Sequence, residues 1–242
     1  MILDEFFAVK PTHFKEVDLS LLPTRGIFYP TDFKLYIKKA SELNIIEYET
    51  HLEVENPQSI IACVTQIVEE CTFGSHSFET IKHNDAVHLF FQIVEFTKKT
   101  PIYMNIDGVK INVLKDFKHF DYSAYDYDEK SREIIKNGYR FSMPSIGVDH
   151  DTLNFILFAD KNCPHYLDYN FLHLFLTGNK TALSFENSMK LLDIFESMDK
   201  YDIKEIEEGV EILNKGAIYS AYKDGKTYHI GKDTLDFSGI WK

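Results

Sequence analysis

The chain has 242 residues, with 38 acidic and 26 basic side chains, a formal charge of −12, and 44% hydrophobic and 14% aromatic residues. Twenty Phe and fourteen Tyr exclude a disordered chain, because such a composition buries surface. The negative charge argues against general nucleic-acid binding, since it repels phosphate.

Three cysteines, Cys63, Cys71 and Cys163, are too few and too far apart for a disulfide framework or a zinc ribbon, and they point to a reducing compartment. The N-terminal MILDEFFAVK has acidic residues and no basic start, so it does not read as a signal peptide. No apolar run reaches the roughly 18–20 residues of a membrane span. Without an export signal, the acceptor-like Asn179-Lys180-Thr181 reads as chance.

Taken in order, residues 1–20 lack a period and read as an N-terminal arm. Leu21-Leu22-Pro23-Thr24-Arg25-Gly26-Ile27-Phe28-Tyr29-Pro30 is a turn-rich stretch between two prolines. Phe33, Leu35 and Ile37 alternate with Lys34, Tyr36 and Lys38, which predicts a half-buried strand. Ser41 caps a short helix whose apolar positions include Leu43, Ile46 and Leu52. Asn56-Pro57 opens a second helix, with Ile60, Ile61, Val64, Ile67, Val68 and Cys71 at helical spacing and Gly74 as its stop. Asn84-Asp85 starts a third, apolar around most of its circumference.

Asp107-Gly108 is the strongest local signal. A two-residue turn there pairs Ile106 with Val109, Met104 with Ile111 and Ile102 with Val113. Residues 115–137 are acidic and Tyr-rich and read as an exposed loop or short helix connecting two halves. Tyr139, Phe141 and Met143 suggest a strand. The last third reads as mainly helical: an ambiguous apolar run at Leu153 to Phe158, then helices at Tyr166 to Leu176, from Ser184, and from Asp202 to Gly216. A terminal hairpin, 217–222 with 226–230, turns at Asp224-Gly225. The expected fold class is α+β, with helical bundle elements packed on β-hairpins and a small antiparallel sheet. Its expected divisions are 1–20, 21–114, 115–137 and 138–242.

Leu22, Pro23, Arg25, Gly26, Tyr29 and Pro30, then Ala40-Ser41-Glu42-Leu43, a helix carrying Cys63, an Asp85-initiated helix and a hairpin form a familiar order. The first half of the chain resembles the baseplate hub assembly proteins of T-even-type contractile-tailed bacteriophages. That family carries a leucine-proline-small-basic-glycine motif, a later Glu and an Asp that opens a helix. The chain departs from it in having Lys98 and Lys99 where many members have Arg, and no cysteine between Ile102 and Val113. The resemblance implies a non-enzymatic late viral protein, made in the bacterial cytoplasm, that contacts other hub or tail proteins through a chaperone-like or minor structural role. It implies no cofactor, and the charge of the chain implies no nucleic-acid partner. Its motif positions, as partner-binding or structural residues, are Pro23, Arg25, Gly26, Phe28, Tyr29, Pro30, Glu42 and Asp85.

His83, Asp85 and His88 near one helix end invite a metal, but two or three ligands of uncertain convergence are outweighed by helix-start and packing roles. Asp149-His150-Asp151 lacks the glycine and glutamate of a calcium loop. Ser75-His76-Ser77 lacks a nucleophile elbow. Glu205, Glu207 and Glu208 read as a solvated helix face. Arg25 either anchors a partner carboxylate or, the favoured reading, pairs with Glu42 or Asp32 to tether its turn. The alternative functions are an enzyme with a metal-assisted site and a structural ring protein of the virion.

Overall fold

The computed structural model describes residues 13–53, 57–75, 77–146, 176, 193–217, 219–230 and 240–241. The fold is α+β. Its elements are β1 (Phe14–Glu16), β2 (Leu35–Lys38), α1 (Glu42–Glu53), α2 (Pro57–Cys71), β3 (Thr72–Gly74), α3 (His83–Lys98), β4 (Tyr103–Ile106), β5 (Val109–Asn112), β6 (Asp126–Asp128), β7 (Glu133–Lys136), β8 (Tyr139–Phe141), α4 (Lys200–Ala217), β9 (Ser220–Lys223) and β10 (Lys226–His229). The strands form small antiparallel sheets: β1-β2-β3, the hairpin β4-β5, the meander β6-β7-β8 and the hairpin β9-β10.

Where turn chemistry and alternation agree, the expected register appears. Ile106 faces Val109 and Met104 faces Ile111, and the Val113 amide donates to Ile102. Asp107 and Gly108 both have positive φ, as a two-residue hairpin turn requires. The Asp224-Gly225 hairpin forms in the same way. Leu35 and Ile37 point inward from β2, and Pro57 begins α2. Ser41 caps α1 through a reciprocal box: its hydroxyl accepts from the Asn44 amide while Asn44 Oδ1 accepts from the Ser41 amide.

Several expectations need correction. Residues 14–16 of the presumed arm are an edge strand, because the Phe14–Glu16 backbone pairs with Tyr36–Lys38 and Val17 is buried. The helix starting near Ser41 turns a different face inward. Asn44 and Tyr48 are buried, whereas Leu43 and Ile46 are 63% and 58% exposed. Tyr48 stacks on Phe90 and meets Trp241 edge-on, and that aromatic packing sets the rotation of α1. Gly74 does not stop α2, which ends at Cys71. Gly74 instead pairs with Leu35 in β3, where a Cβ would sit 2.0 Å from the Lys34 carbonyl oxygen. α3 begins at His83, with Lys82 as its cap. Residues 115–137 contain a short 3₁₀ turn and strands β6 and β7, and Asn137-Gly138, both at positive φ, turn β7 into β8. α4 runs through Gly216 to Ala217. The expectations at Asn56, His76, 149–175, Asn179 and Ser184 lie outside the described residues.

Among the described residues the core has two parts. The first gathers α2 (Val64, Ile67, Val68), α3 (Leu89, Phe90, Phe91, Ile93), the β4-β5 hairpin (Ile106, Ile111) and the C-terminal Tyr219 and Ala221. Burying each such side chain contributes about 1.5–3 kcal/mol. The second gathers Phe28, Tyr122, Ile134, Phe141 and Met143 against Ile206, Val210 and Leu213 of α4. Gly209 makes this second packing possible. A Cβ there would fall 2.2 Å from the ring of fully buried Phe141. The segment before β2 touches both parts, with Leu22 and Tyr29 in the first and Phe28 in the second.

Candidate functional site

Residues 18–33 are a string of tight turns. The amides of Leu21, Leu22, Arg25, Ile27, Tyr29 and Phe33 each donate to the carbonyl three residues earlier. Prolines at 23 and 30 restrict the backbone, and Gly26, at φ 73°, packs against Leu19 so closely that a Cβ would lie 2.9 Å from the Leu19 Cβ. A turn run of this kind has few internal contacts, so something outside it must hold it.

Asp85, in the first turn of α3 and fully buried, does so. Its Oδ1 accepts from the Thr24 amide at 2.9 Å, and its Oδ2 accepts from the Thr24 hydroxyl at 2.6 Å and the Tyr29 hydroxyl at 2.8 Å. The Tyr29 hydroxyl in turn accepts from the Lys82 amide at 2.9 Å, satisfying one of the free donors at the helix start. Lys82 itself donates its ammonium to the Met143 carbonyl, and the 81–83 backbone pairs with 144–146. The carboxylate thus joins a segment 61 residues away to the head of α3. A short hydrogen bond from the Tyr127 hydroxyl to the Ile27 carbonyl adds a tie from β6, and Phe28 meets Tyr122 and Tyr127 edge-on.

The electrostatics follow from burial. Loss of water pushes the Asp85 carboxyl up to about 6, although the Thr24 and Tyr29 hydrogen bonds and Lys82 pull it down. Burial and the Asp85 charge together hold the Tyr29 phenol well above its ordinary range, and the same two causes raise Tyr122. One turn further along α3, His88 is buried. Its Nδ1 lies 3.1 Å from the Tyr219 hydroxyl, which donates to the Val113 carbonyl at 3.3 Å and so can accept from the ring. Burial, with smaller contributions from His119 and Lys15, pushes His88 down to about 3. Phe117 packs against the rings of His88, His119 and Tyr219.

The motif positions named from the sequence separate into two sets. Pro23, Gly26, Phe28, Tyr29, Pro30 and Asp85 belong to one packed unit, and only Pro30 and Gly26 in it retain partial exposure. Arg25 and Glu42 are exposed. The favoured tether from Arg25 to Glu42 or Asp32 is corrected: among the described residues Arg25 forms neither pair, because Thr24 and Tyr29 hold the turn through Asp85. His83, Asp85 and His88 do not converge. His83 is exposed, while Asp85 faces Thr24 and His88 faces Tyr219. Among the described residues no three His, Cys, Asp or Glu side chains gather as metal ligands. Glu208 pairs with Lys136 at 3.6 Å and Glu207 is exposed. Cys63 and Cys71 are buried, and burial raises both thiols to about 11.

Thr24 and Lys82 were not singled out from the sequence. Thr24 stood in the motif, but nothing local shows that its hydroxyl and amide address a helix start 61 residues away. No helix among the described residues is long and apolar enough to cross a membrane. No protein-family model matches the chain, and neither the comparison with curated proteins nor that with solved structures yields a match.

Proposed function

We propose that the chain is a non-enzymatic assembly factor for the tail baseplate hub of a contractile-tailed bacteriophage, acting in the host cytoplasm by contact with other hub proteins. The observation that carries the reading is the junction at Asp85. The two sequence features behind the resemblance, the Leu-Pro-Thr-Arg-Gly…Tyr-Pro segment and the Asp that opens a helix, form one hydrogen-bonded unit. The buried polar groups of that unit are engaged with one another, a pattern suited to holding a shape. Large apolar side chains meanwhile stand in solvent at Leu21, Leu43 and Ile46, exposures that suit protein contact.

Co-expression of the tagged chain with each baseplate hub protein of the genome that encodes it tests the reading. One hub protein is expected to co-purify at fixed stoichiometry, and replacement of Leu43 and Ile46 by Ser is expected to weaken that retention. Retention of no hub protein refutes the reading.

A further inference from the structure

Four Xaa-Gly pairs in the described chain place both residues at positive φ: Arg25-Gly26, Asp107-Gly108, Asn137-Gly138 and Asp224-Gly225. Three of them use Asp or Asn before the glycine, the residues whose short polar side chains tolerate this backbone best. The fourth uses Arg, at φ 53°, where a long side chain gains nothing from the conformation. The Ile27 amide donating to the Thr24 carbonyl closes that turn around Arg25 and Gly26, so the geometry is the same kind of two-residue turn.

Unlike the three hairpin turns, this one is fixed by contacts with a distant helix. Thr24 on one side and Tyr29 on the other are fixed to the buried Asp85, and Gly26 is wedged against Leu19. Arg25 projects from this mount into solvent. Among the described residues it enters no ion pair, although the chain carries 38 acidic side chains. Its charge is felt by Asp121, whose Oδ1 is already engaged by the Ser123 amide and hydroxyl, and by the His119 ring.

We propose that Arg25 is a recognition contact, carried on a backbone turn held in advance, whose guanidinium receives a carboxylate of the partner protein. The proposal rests on the assembly reading above and names the chemistry of its contact. A planar fork with fixed donors binds a carboxylate by two hydrogen bonds, and a rigid mount lowers the ordering cost of binding. A carboxylate is favoured over a nucleic-acid phosphate because a net charge of −12 opposes approach to a polyanion along its length.

The test titrates each purified hub protein of the encoding genome, nuclease-treated, into the native chain, Arg25→Asn and Arg25→Lys by calorimetry, with melting temperatures recorded for all three. Asn suits the turn, so Arg25→Asn is expected to melt at or above the native temperature. It is expected to bind the hub protein about tenfold to a hundredfold more weakly, with Arg25→Lys in between. Unchanged affinity of Arg25→Asn overturns the proposal and leaves the assembly reading standing. A fall in melting temperature of several degrees together with lost affinity assigns Arg25 a structural role and overturns it. Binding that exists only before nuclease treatment identifies a phosphate ligand and also overturns it. Binding of no hub protein by the native chain overturns both readings.

Discussion

Replacing Asp85 by Asn removes one titration from the folded protein and should change the pH dependence of stability in a defined direction. In the native fold the carboxyl is fully buried and its pKa stands at about 6, against 3.8 as the ordinary value. A group whose folded pKa is raised contributes stability that is fully present below the ordinary value and is lost as pH rises through the folded one. The rise corresponds to about 3 kcal/mol at roughly 1.4 kcal/mol per pH unit. Native stability relative to Asp85→Asn should therefore fall by about 2 kcal/mol between pH 4.5 and pH 7, the rest of the change lying at lower pH, and be flat above it. Urea unfolding of the two proteins at half-unit steps from pH 4.5 to 8 gives the difference directly, and taking the difference cancels every titration that they share. Parallel profiles would refute the reasoning, because they would mean that Asp85 is hydrated or already paired with a cation. Asp85→Ala is a harsher change. It strips the acceptor from the Thr24 amide and from two hydroxyls, each left unpaired at about 1–3 kcal/mol.

Further outcomes follow from the same packing. Gly209→Ala should lower the melting temperature, at a cost of about 1–3 kcal/mol from displacing the Phe141 ring, even though Ala is the better helix former; Phe141→Leu should recover part of the loss. Tyr48→Ala should cost about 3–5 kcal/mol in denaturant unfolding, while Leu43→Ser, on the exposed face of the same helix, should stay within about 0.5 kcal/mol. His88, with its folded pKa depressed to about 3, should remain neutral in an NMR titration down to pH 5. Its stabilising contribution is present above the ordinary 6.5 and is lost as pH falls toward 3, opposite in sign to that of Asp85. A His88 resonance that shifts with an ordinary midpoint would place the ring in water.

Legibility from sequence tracked the distance over which each structure is determined. The 102–113 hairpin was readable because Asp107-Gly108 and the flanking alternation lie within a dozen residues and agree. Asn137-Gly138 carries the same turn chemistry, and β8 after it is expected from Tyr139 and Phe141, yet the acidic, Tyr-rich residues before it lack a clean alternation, so β6 and β7 are not legible. α1 was misread in rotation. Its inward positions are Asn44, engaged in the cap, and Tyr48, stacked on Phe90, so the aliphatic pair Leu43 and Ile46 gave the wrong face. At the site, the motif residues could be named but not their partner. The contact between Thr24 and Asp85 depends on how α3 packs against the turn run, and no local period encodes that.

Asp85 holds the turn run as one rigid mount, and amide hydrogen exchange tests this most directly. The Thr24 amide, buried against Asp85 Oδ1, should exchange slowly in the native protein and far faster in Asp85→Ala, while the Val113 amide, bonded to Ile102 across the hairpin, keeps its native protection. Equal Thr24 exchange in the two proteins, with Val113 protected in both, would contradict it.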